Sequence, residues 1–318
     1  MNTDDREKVL IIKPGYSETL DPEVSGIVSL GDILRTTVIL HLFPRETHQV
    51  TWLVDGYGIS MLRNNPLIER VLKLNSFTPF HLMREQFDVV INLEKDPGIC
   101  SMADSIPAWR RYGFRFDAQR GNVSSYEHAL EAMRIVTDPE FKCSQAKSWS
   151  ELLFDMLGAD YQGQPYVLGY APKEKKPKYD IGLNYRAGKK FPLKLWPKAN
   201  WEDLEKRLAG DFSVRWQPAV DDVENIESYF EWVASCRVLV TQDSLGLHLA
   251  LGFGRKTVGL FGPTHPHEIF DVPELVKLAP APGLECLGCS DSVCARGTPC
   301  INSITVDAVE AAVRGFLA

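Results

Sequence analysis

The densest run of residues able to do chemistry is Arg237-Val-Leu-Val-Thr-Gln-Asp243-Ser244-Leu-Gly246-Leu-His248. An apolar stretch at 238–241 ends in a polar turn at 242–245, and helical spacing resumes over 246–251. In open α/β sheets ligands bind beyond the carboxyl ends of the strands. A helix start there offers free N–H groups and the positive end of its dipole to phosphate. Asp243 and Ser244 stand in that turn, with Gly246 and His248 on the helix that follows. A second strand, 257–261, ends in Gly262-Pro263-Thr264. Singly, Asp243 or Ser244 could merely cap the helix, and His248 could pack on the sheet. Together they point to a ligand site.

Two further groups stand after strand-like runs. Residues 181–184 are followed by Asn184-Tyr185-Arg186, Lys189, Lys190 and Lys194-Leu-Trp196-Pro197. Cations at a carboxyl edge could neutralise a diphosphate leaving group without a metal. Lys189 and Lys190 suit a solvated loop better; Lys194, beside Trp196-Pro197, suits a functional cation, and Arg186 is a second candidate. Ser29-Leu-Gly31-Asp32 follows the strand 9–13 and leads into an expected helix at 33–43. A carboxylate at Asp32 could accept a proton from an attacking hydroxyl, or could simply cap that helix.

Cys286, Cys289, Cys294 and Cys300 form a C-x2-C-x4-C-x5-C cluster in a loop-like stretch rich in Gly, Ser and Pro. Four such thiols suit a structural Zn or Fe ion, with two disulfides or four free thiols as the alternatives. Standard signatures fail elsewhere. Gly252-Phe-Gly254 precedes a strand instead of following one, so it is no dinucleotide fingerprint. His265-Pro-His267-Glu268 lies in a Pro-broken loop. Walker A and HExxH patterns are absent from the sequence.

These groups need a scaffold. The chain of 318 residues, 44% hydrophobic and 24% charged, has the length of about two domains. Its formal net charge of -7 argues against a protein that coats nucleic acid. Apolar runs alternate with amphipathic ones, as in parallel sheets covered on both faces. Residues 171–179, rich in Pro and Lys, suit a linker, so domains are expected at 1–170 and 171–318. The last expected helix is 306–317. The short apolar run near the start fits neither a signal peptide nor a membrane span. A cytoplasmic protein is expected, with at most peripheral contact to the inner membrane.

The residues together resemble glycosyltransferase family 9, the ADP-heptose:lipopolysaccharide heptosyltransferases. The resemblance is carried by the strand 9–13 with Ser29-Leu-Gly-Asp32, by Lys194-Leu-Trp196-Pro197 with Trp201, and by Asp243-Ser244…His248 with Leu260-Phe-Gly-Pro-Thr264-His-Pro266. It implies a GT-B fold: two Rossmann-like domains facing across a cleft, with the last helix packing back on the first. It implies inverting sugar transfer, with chemistry independent of metal, from a nucleotide-sugar donor such as ADP-heptose to a glycan or glycolipid acceptor. By this resemblance Asp32 matches the general base and Lys194 the cation on the diphosphate. Asp243, Ser244 and His248 match donor contacts, and Thr264 a loop near the donor. Departures accompany it. Leu245 stands where the family has Gly, which here comes one place later at Gly246. Asn184-Tyr185 replaces hydroxyl residues. The loop before Asp32 is long, and the ribose-binding acid is one of Asp221, Asp222 and Glu224. The Cys cluster resembles, without matching spacing, the iron-binding cysteines of the autotransporter heptosyltransferases, which modify protein Ser. The alternatives are thus a protein Ser/Thr heptosyltransferase or a non-catalytic nucleotide-sugar-binding subunit.

Overall fold

A computed structural model describes residues 5–16, 26–173, 176–188, 190–219, 226–281 and 284–318. Lys189, Asp221, Asp222, Glu224 and most of the long loop before Asp32 lie outside the described residues. The chain divides into two compact units, one of residues 1–141 and 149–170, the other of 142–148 and 171–318.

The first unit is built on a six-stranded sheet of order β3-β2-β1-β4-β5-β6. Its strands are β1 (Glu7–Ile12), β2 (His48–Val54), β3 (Arg70–Lys73), β4 (Phe87–Asn92), β5 (Ala108–Asp117) and β6 (Asn122–Ser125). All neighbours run parallel except β6, which returns antiparallel to β5. Its helices are α1 (Leu30–Thr36), α2 (Ile59–Leu62), α3 (Thr78–Leu82), α4 (Pro97–Ser105), α5 (Leu130–Thr137), α6 (Pro139–Ser144, which runs on into the second unit) and α7 (Trp149–Asp155). Val9–Ile12 is fully buried on both faces, as a central parallel strand requires.

The second unit carries a five-stranded, all-parallel sheet of order β11-β10-β9-β7-β8. The strands are β7 (Tyr179–Asn184), β8 (Val214–Trp216), β9 (Cys236–Gln242), β10 (Lys256–Leu260) and β11 (Leu275–Leu278). Helices α8 (Lys198–Leu208), α9 (Glu227–Ala234), α10 (Leu245–Gly252) and α11 (Val306–Leu317) cover it. Trp201, Leu204 and Leu208 of α8 and Val309 and Val313 of α11 share one core with the strands. The last helix, which the resemblance suggested would return to the first domain, thus has its apolar side in the core of the second unit.

One expected helix takes another form. The stretch expected as a helix over 33–43 is α-helical only through Thr36 and tightens to a 3-10 helix over Thr37–Leu42. Thr36 and Thr37 donate their hydroxyls back to the carbonyls of Asp32 (2.6 Å) and Leu34 (2.7 Å). Such back-bonding competes with the regular ladder and bends it.

Both sheets wind outward from one strand. In the first, the connection from β1 leads to β2, while β4 lies on the other side of β1. In the second, the connection from β7 leads to β8, while β9 lies on the other side of β7. Each sheet therefore has a topological switch point, β1/β4 and β7/β9. At such points the two connections diverge and leave the carboxyl edge open.

Candidate functional site

The β1/β4 switch point of the first unit is occupied by buried charge. Lys13 ends β1, Glu94 and Lys95 follow β4, and Asp32 and Arg35 come from α1; all five are buried. Asp32 does not cap its helix. Ser29 holds the N-cap position and accepts from the Asp32 backbone N–H at 3.3 Å, which sets Asp32 in the first turn. This corrects the plain alternative of a capping Asp. Asp32 Oδ1 accepts from Arg35 Nε and ion-pairs with its terminal nitrogen, each at 2.8 Å. Oδ2 ion-pairs with the Lys13 ammonium. Lys13 also contacts Glu94 at 3.3 Å, and Glu94 accepts from the backbone N–H groups of Gly15 (2.6 Å) and Tyr16 (3.1 Å). Gly15 has φ of 100°, a conformation that favours glycine.

Burial alone would raise the Asp32 carboxyl; the charges of Lys13 and Arg35 outweigh it and hold the group well below the usual carboxylate range. Asp32 is thus held as a carboxylate near neutral pH. The Lys95 ammonium lies 4.9 Å from the Phe114 ring and 5.5 Å from Trp149. Burial, then the neighbouring Lys13 charge, lowers its pKa to about 8 against the opposing pull of Asp32 and Glu94.

The β7/β9 switch point of the second unit holds the other constellation. Register pairs Asn184 with Thr241 at the ends of their strands and Gln242 with Leu260. Asn184 Nδ2 donates to Thr241 Oγ1 (2.7 Å) and Ser244 Oγ (3.1 Å), and its Oδ1 accepts from the Tyr229 hydroxyl (2.8 Å). Ser244 occupies the N-cap position of α10, but its side chain makes no capping bond. Its hydroxyl is turned to Asn184 and Thr241 instead, which leaves the first N–H groups of α10 without a side-chain cap. Lys194 Nζ donates to Asp243 Oδ2 at 2.6 Å, and His248 Nε2 stands 3.8 Å from Oδ1 of the same carboxylate. Lys194 is fixed from behind: Trp196 Nε1 donates to the Ile304 carbonyl at 2.9 Å and its ring meets Trp201 edge-on. Within this unit Lys194, Asp243, Ser244, Gly246 and His248 come together as expected from sequence. Arg186 is exposed in the loop after β7, its guanidinium 5.1 Å from the Tyr185 ring centroid. Thr264 is buried in the loop after β10.

Gly246 has a packing reason. A Cβ there would stand 2.6 Å from the Tyr229 hydroxyl and press on Asn184 Nδ2. Only a hydrogen side chain lets α10 approach the Asn184 amide.

The cysteine loop docks on the strand-end loop that carries Thr264. Ser290 N–H donates to the Pro263 carbonyl at 2.8 Å, and Gly288 packs on His265. Cys286, Cys289, Cys294 and Cys300 are free thiols. Burial raises the Cys289 and Cys300 thiols. Among the described residues no group of three or more His, Cys, Asp or Glu could hold a metal ion. The expected Zn or Fe site therefore finds no support in this geometry, and no chemistry is assigned to it. Among the same residues no helix is long and apolar enough to cross a membrane.

No protein-family model matches the chain, and no curated protein sequence matches it. Solved structures do. A glycosyl transferase of family 9 from Veillonella parvula is similar over 98% of this chain and 98% of its own, at 15% identity and a TM-score of 0.68. E. coli ADP-heptose lps heptosyltransferase II is similar over 98% of both chains, at 16% identity and a TM-score of 0.64. E. coli heptosyltransferase WaaC, solved with ADP-2-deoxy-2-fluoro heptose, covers 97% of this chain and 99% of its own, at 14% identity and a TM-score of 0.59. The likeness is one of fold. The chain has the mixed α/β architecture of the GT-B glycosyltransferases, with a parallel sheet in each unit, as the resemblance implied.

The sequence reading passed over Lys13, Arg35, Glu94 and Lys95. A signal was present: β4 (Phe-Asp-Val-Val-Ile-Asn) and β7 (Tyr-Asp-Ile-Gly-Leu-Asn) both end an apolar run in Asn, and both border a switch point.

Two outcomes test this geometry. Gly246→Ala is expected to lower stability by about 1–3 kcal/mol, read as a lower urea midpoint; an unchanged midpoint would mean that α10 has room. The folded-state pKa of Lys95 lies below the usual 10.5, so between about 8 and 10.5 the unfolded chain binds more protons than the folded one. The contribution of Lys95 to stability must therefore rise with pH across that window. Thermal denaturation from pH 7.5 to 10.5 should show the wild type gaining relative to Lys95→Met; parallel curves would refute the burial of a charged Lys95.

Proposed function

We propose that the chain is a glycosyltransferase that takes a sugar from a nucleoside-diphosphate donor, with ADP-heptose as the donor and a saccharide of lipopolysaccharide or a related glycan as the acceptor. The observation that carries this reading is Lys194 held on Asp243 beside the uncapped start of α10, at a strand switch point. A cation beside a helix start that lacks a side-chain cap suits a diphosphate. The fold shared with heptosyltransferases, one of them solved with ADP-2-deoxy-2-fluoro heptose, supports the choice of donor.

The reaction is a single displacement with inversion. The acceptor hydroxyl attacks the anomeric carbon, the bond to the diphosphate oxygen breaks, and the leaving group departs with its negative charge. Lys194 and the α10 N–H groups stabilise that charge as it develops. Asp243 orients Lys194, and with His248 it offers polar contacts to the sugar. Asp32 takes the hydroxyl proton. Paired with Lys13 and Arg35, it is a weak base, so proton transfer falls late, when bond formation has already made the hydroxyl acidic.

The test is a thermal-shift panel of ADP-, GDP- and UDP-sugars, since a ligand bound only by the folded state raises its stability. An ADP-sugar should give the largest rise. Lys194→Met should weaken donor affinity by roughly 10- to 100-fold, as for loss of a charged hydrogen bond. Asp32→Asn should keep the donor-induced shift while transfer falls by about 10²- to 10⁴-fold. No shift with any nucleotide sugar would sink the reading, and normal turnover by Asp32→Asn would sink the assignment of the base.

A further inference from the structure

Trp149, the first residue of α7, has no part in the reaction proposed above, yet it touches the charges around Asp32. Helix α7 packs on α1 and on the 3-10 stretch that continues it, with Ser150, Leu152, Leu153 and Phe154 buried. This packing sets the Trp149 ring against Arg35, whose guanidinium carbon lies 4.9 Å from the ring centroid. The Lys95 ammonium lies 5.5 Å from the same ring and 4.9 Å from that of Phe114. One indole thus serves two buried cations.

The charges explain why a ring stands there. Arg35 holds one oxygen of Asp32 with its Nε and a terminal nitrogen, each at 2.8 Å. Those contacts use the edge of the guanidinium, and its flat face is matched by an aromatic face. Arg35 and Lys95 also repel each other, and the Arg35 charge helps to lower Lys95. The negative face of a ring attracts both cations and offsets that repulsion. The indole N–H adds nothing to this grip, since Nε1 is buried and finds no acceptor among the described residues. We propose that Trp149 is a positioning residue, whose ring holds the Arg35 guanidinium in the attitude that fixes the Asp32 carboxylate for the acceptor hydroxyl. Asp32 has one oxygen on Arg35 and the other on Lys13, so a guanidinium free to swing would leave the carboxylate to turn about the Lys13 contact. The inference rests on the reading above for the role of Asp32 as base.

Two replacements of Trp149 test it in the full chain. Trp149→Leu keeps an apolar side chain and removes the aromatic face; Trp149→Phe keeps a smaller ring without the N–H. In Trp149→Leu, kcat for sugar transfer should fall roughly 10- to 30-fold, as for loss of a desolvated cation–π contact. The donor KM and the donor-induced thermal shift should match the wild type. Trp149→Phe should recover most of the rate, because the N–H it lacks takes no acceptor. Loosening Arg35 weakens one of the positive charges on Asp32, whose other charged neighbours are Lys13, Lys95 and, across Lys13, Glu94. The carboxyl pKa then moves up, so the acid limb of kcat should lie at higher pH in Trp149→Leu than in the wild type. In an Arg35→Met background Trp149→Leu should have no further effect on kcat. Equal turnover by wild type and Trp149→Leu, a Phe variant as slow as the Leu variant, or additive effects of the Trp149 and Arg35 changes would each overturn the inference and leave the donor reading standing. So would a Leu variant that loses the donor-induced shift along with its rate, since that marks general damage. A wild type that no nucleotide sugar stabilises would overturn the reading itself, and the role of Trp149 with it.

Discussion

A parallel sheet that winds both ways from one strand leaves its carboxyl edge open at a single place, because the two connections on either side run away from each other. That constraint acts twice in this chain, and it decides where the chemistry sits. Backbone N–H groups, strand-end side chains and helix starts converge there without further design. Lys13, Asp32, Glu94 and Lys95 fill the opening at β1/β4, and Asn184, Thr241, Asp243 and Ser244 fill the one at β7/β9. The apolar cores of the two units serve to hold these edges in register.

The two openings solve different electrostatic problems. In the first, charges are buried outright. Buried ion pairs are weak contributors to stability, since desolvation offsets most of their attraction. A network of Lys13, Arg35 and Lys95 around Asp32 and Glu94 therefore needs a reason beyond folding, and keeping one carboxylate ionised and fixed in a dry place is such a reason. In the second, the hydrogen bonds of Asn184 draw Ser244 away from its capping duty. An uncapped helix start carries a small cost, set here against the bonds that Ser244 makes to Asn184 and Thr241.

What the sequence disclosed follows from range. The strands β1, β2, β4, β7, β9 and β10 announce themselves as apolar runs, and Asp243 to His248 are close enough in sequence to be seen as one group. The strands β3, β5 and β11 are short or broken by charge, as in Arg-Val-Leu-Lys, and escape a search for apolar periodicity. Lys13, Glu94 and Lys95 escape for another reason. Each is an ordinary charged residue after a strand, and only the pairing of β1 with β4 brings residues about eighty positions apart into contact. The cysteine spacing, by contrast, is conspicuous, yet among the described residues no group that could hold a metal ion forms there. The loop it marks is held by backbone bonds to the segment of Pro263, with its thiols free.

Two of the departures from the family pattern meet at one contact. Sequence shows Asn184 where a hydroxyl residue is expected and Gly246 one place later than the expected glycine. In the fold these positions touch. The Asn184 amide reaches further than a hydroxyl would, bonds Thr241, Ser244 and Tyr229 at once, and fills the space in which a side chain at position 246 would stand. The Asn184 amide on β7 thus demands the smallest residue at position 246 of α10. Gly246 is accounted for by its packing against Asn184 and Tyr229. It marks a strand end walled by the Asn184 amide, beside a helix start that lacks a side-chain cap.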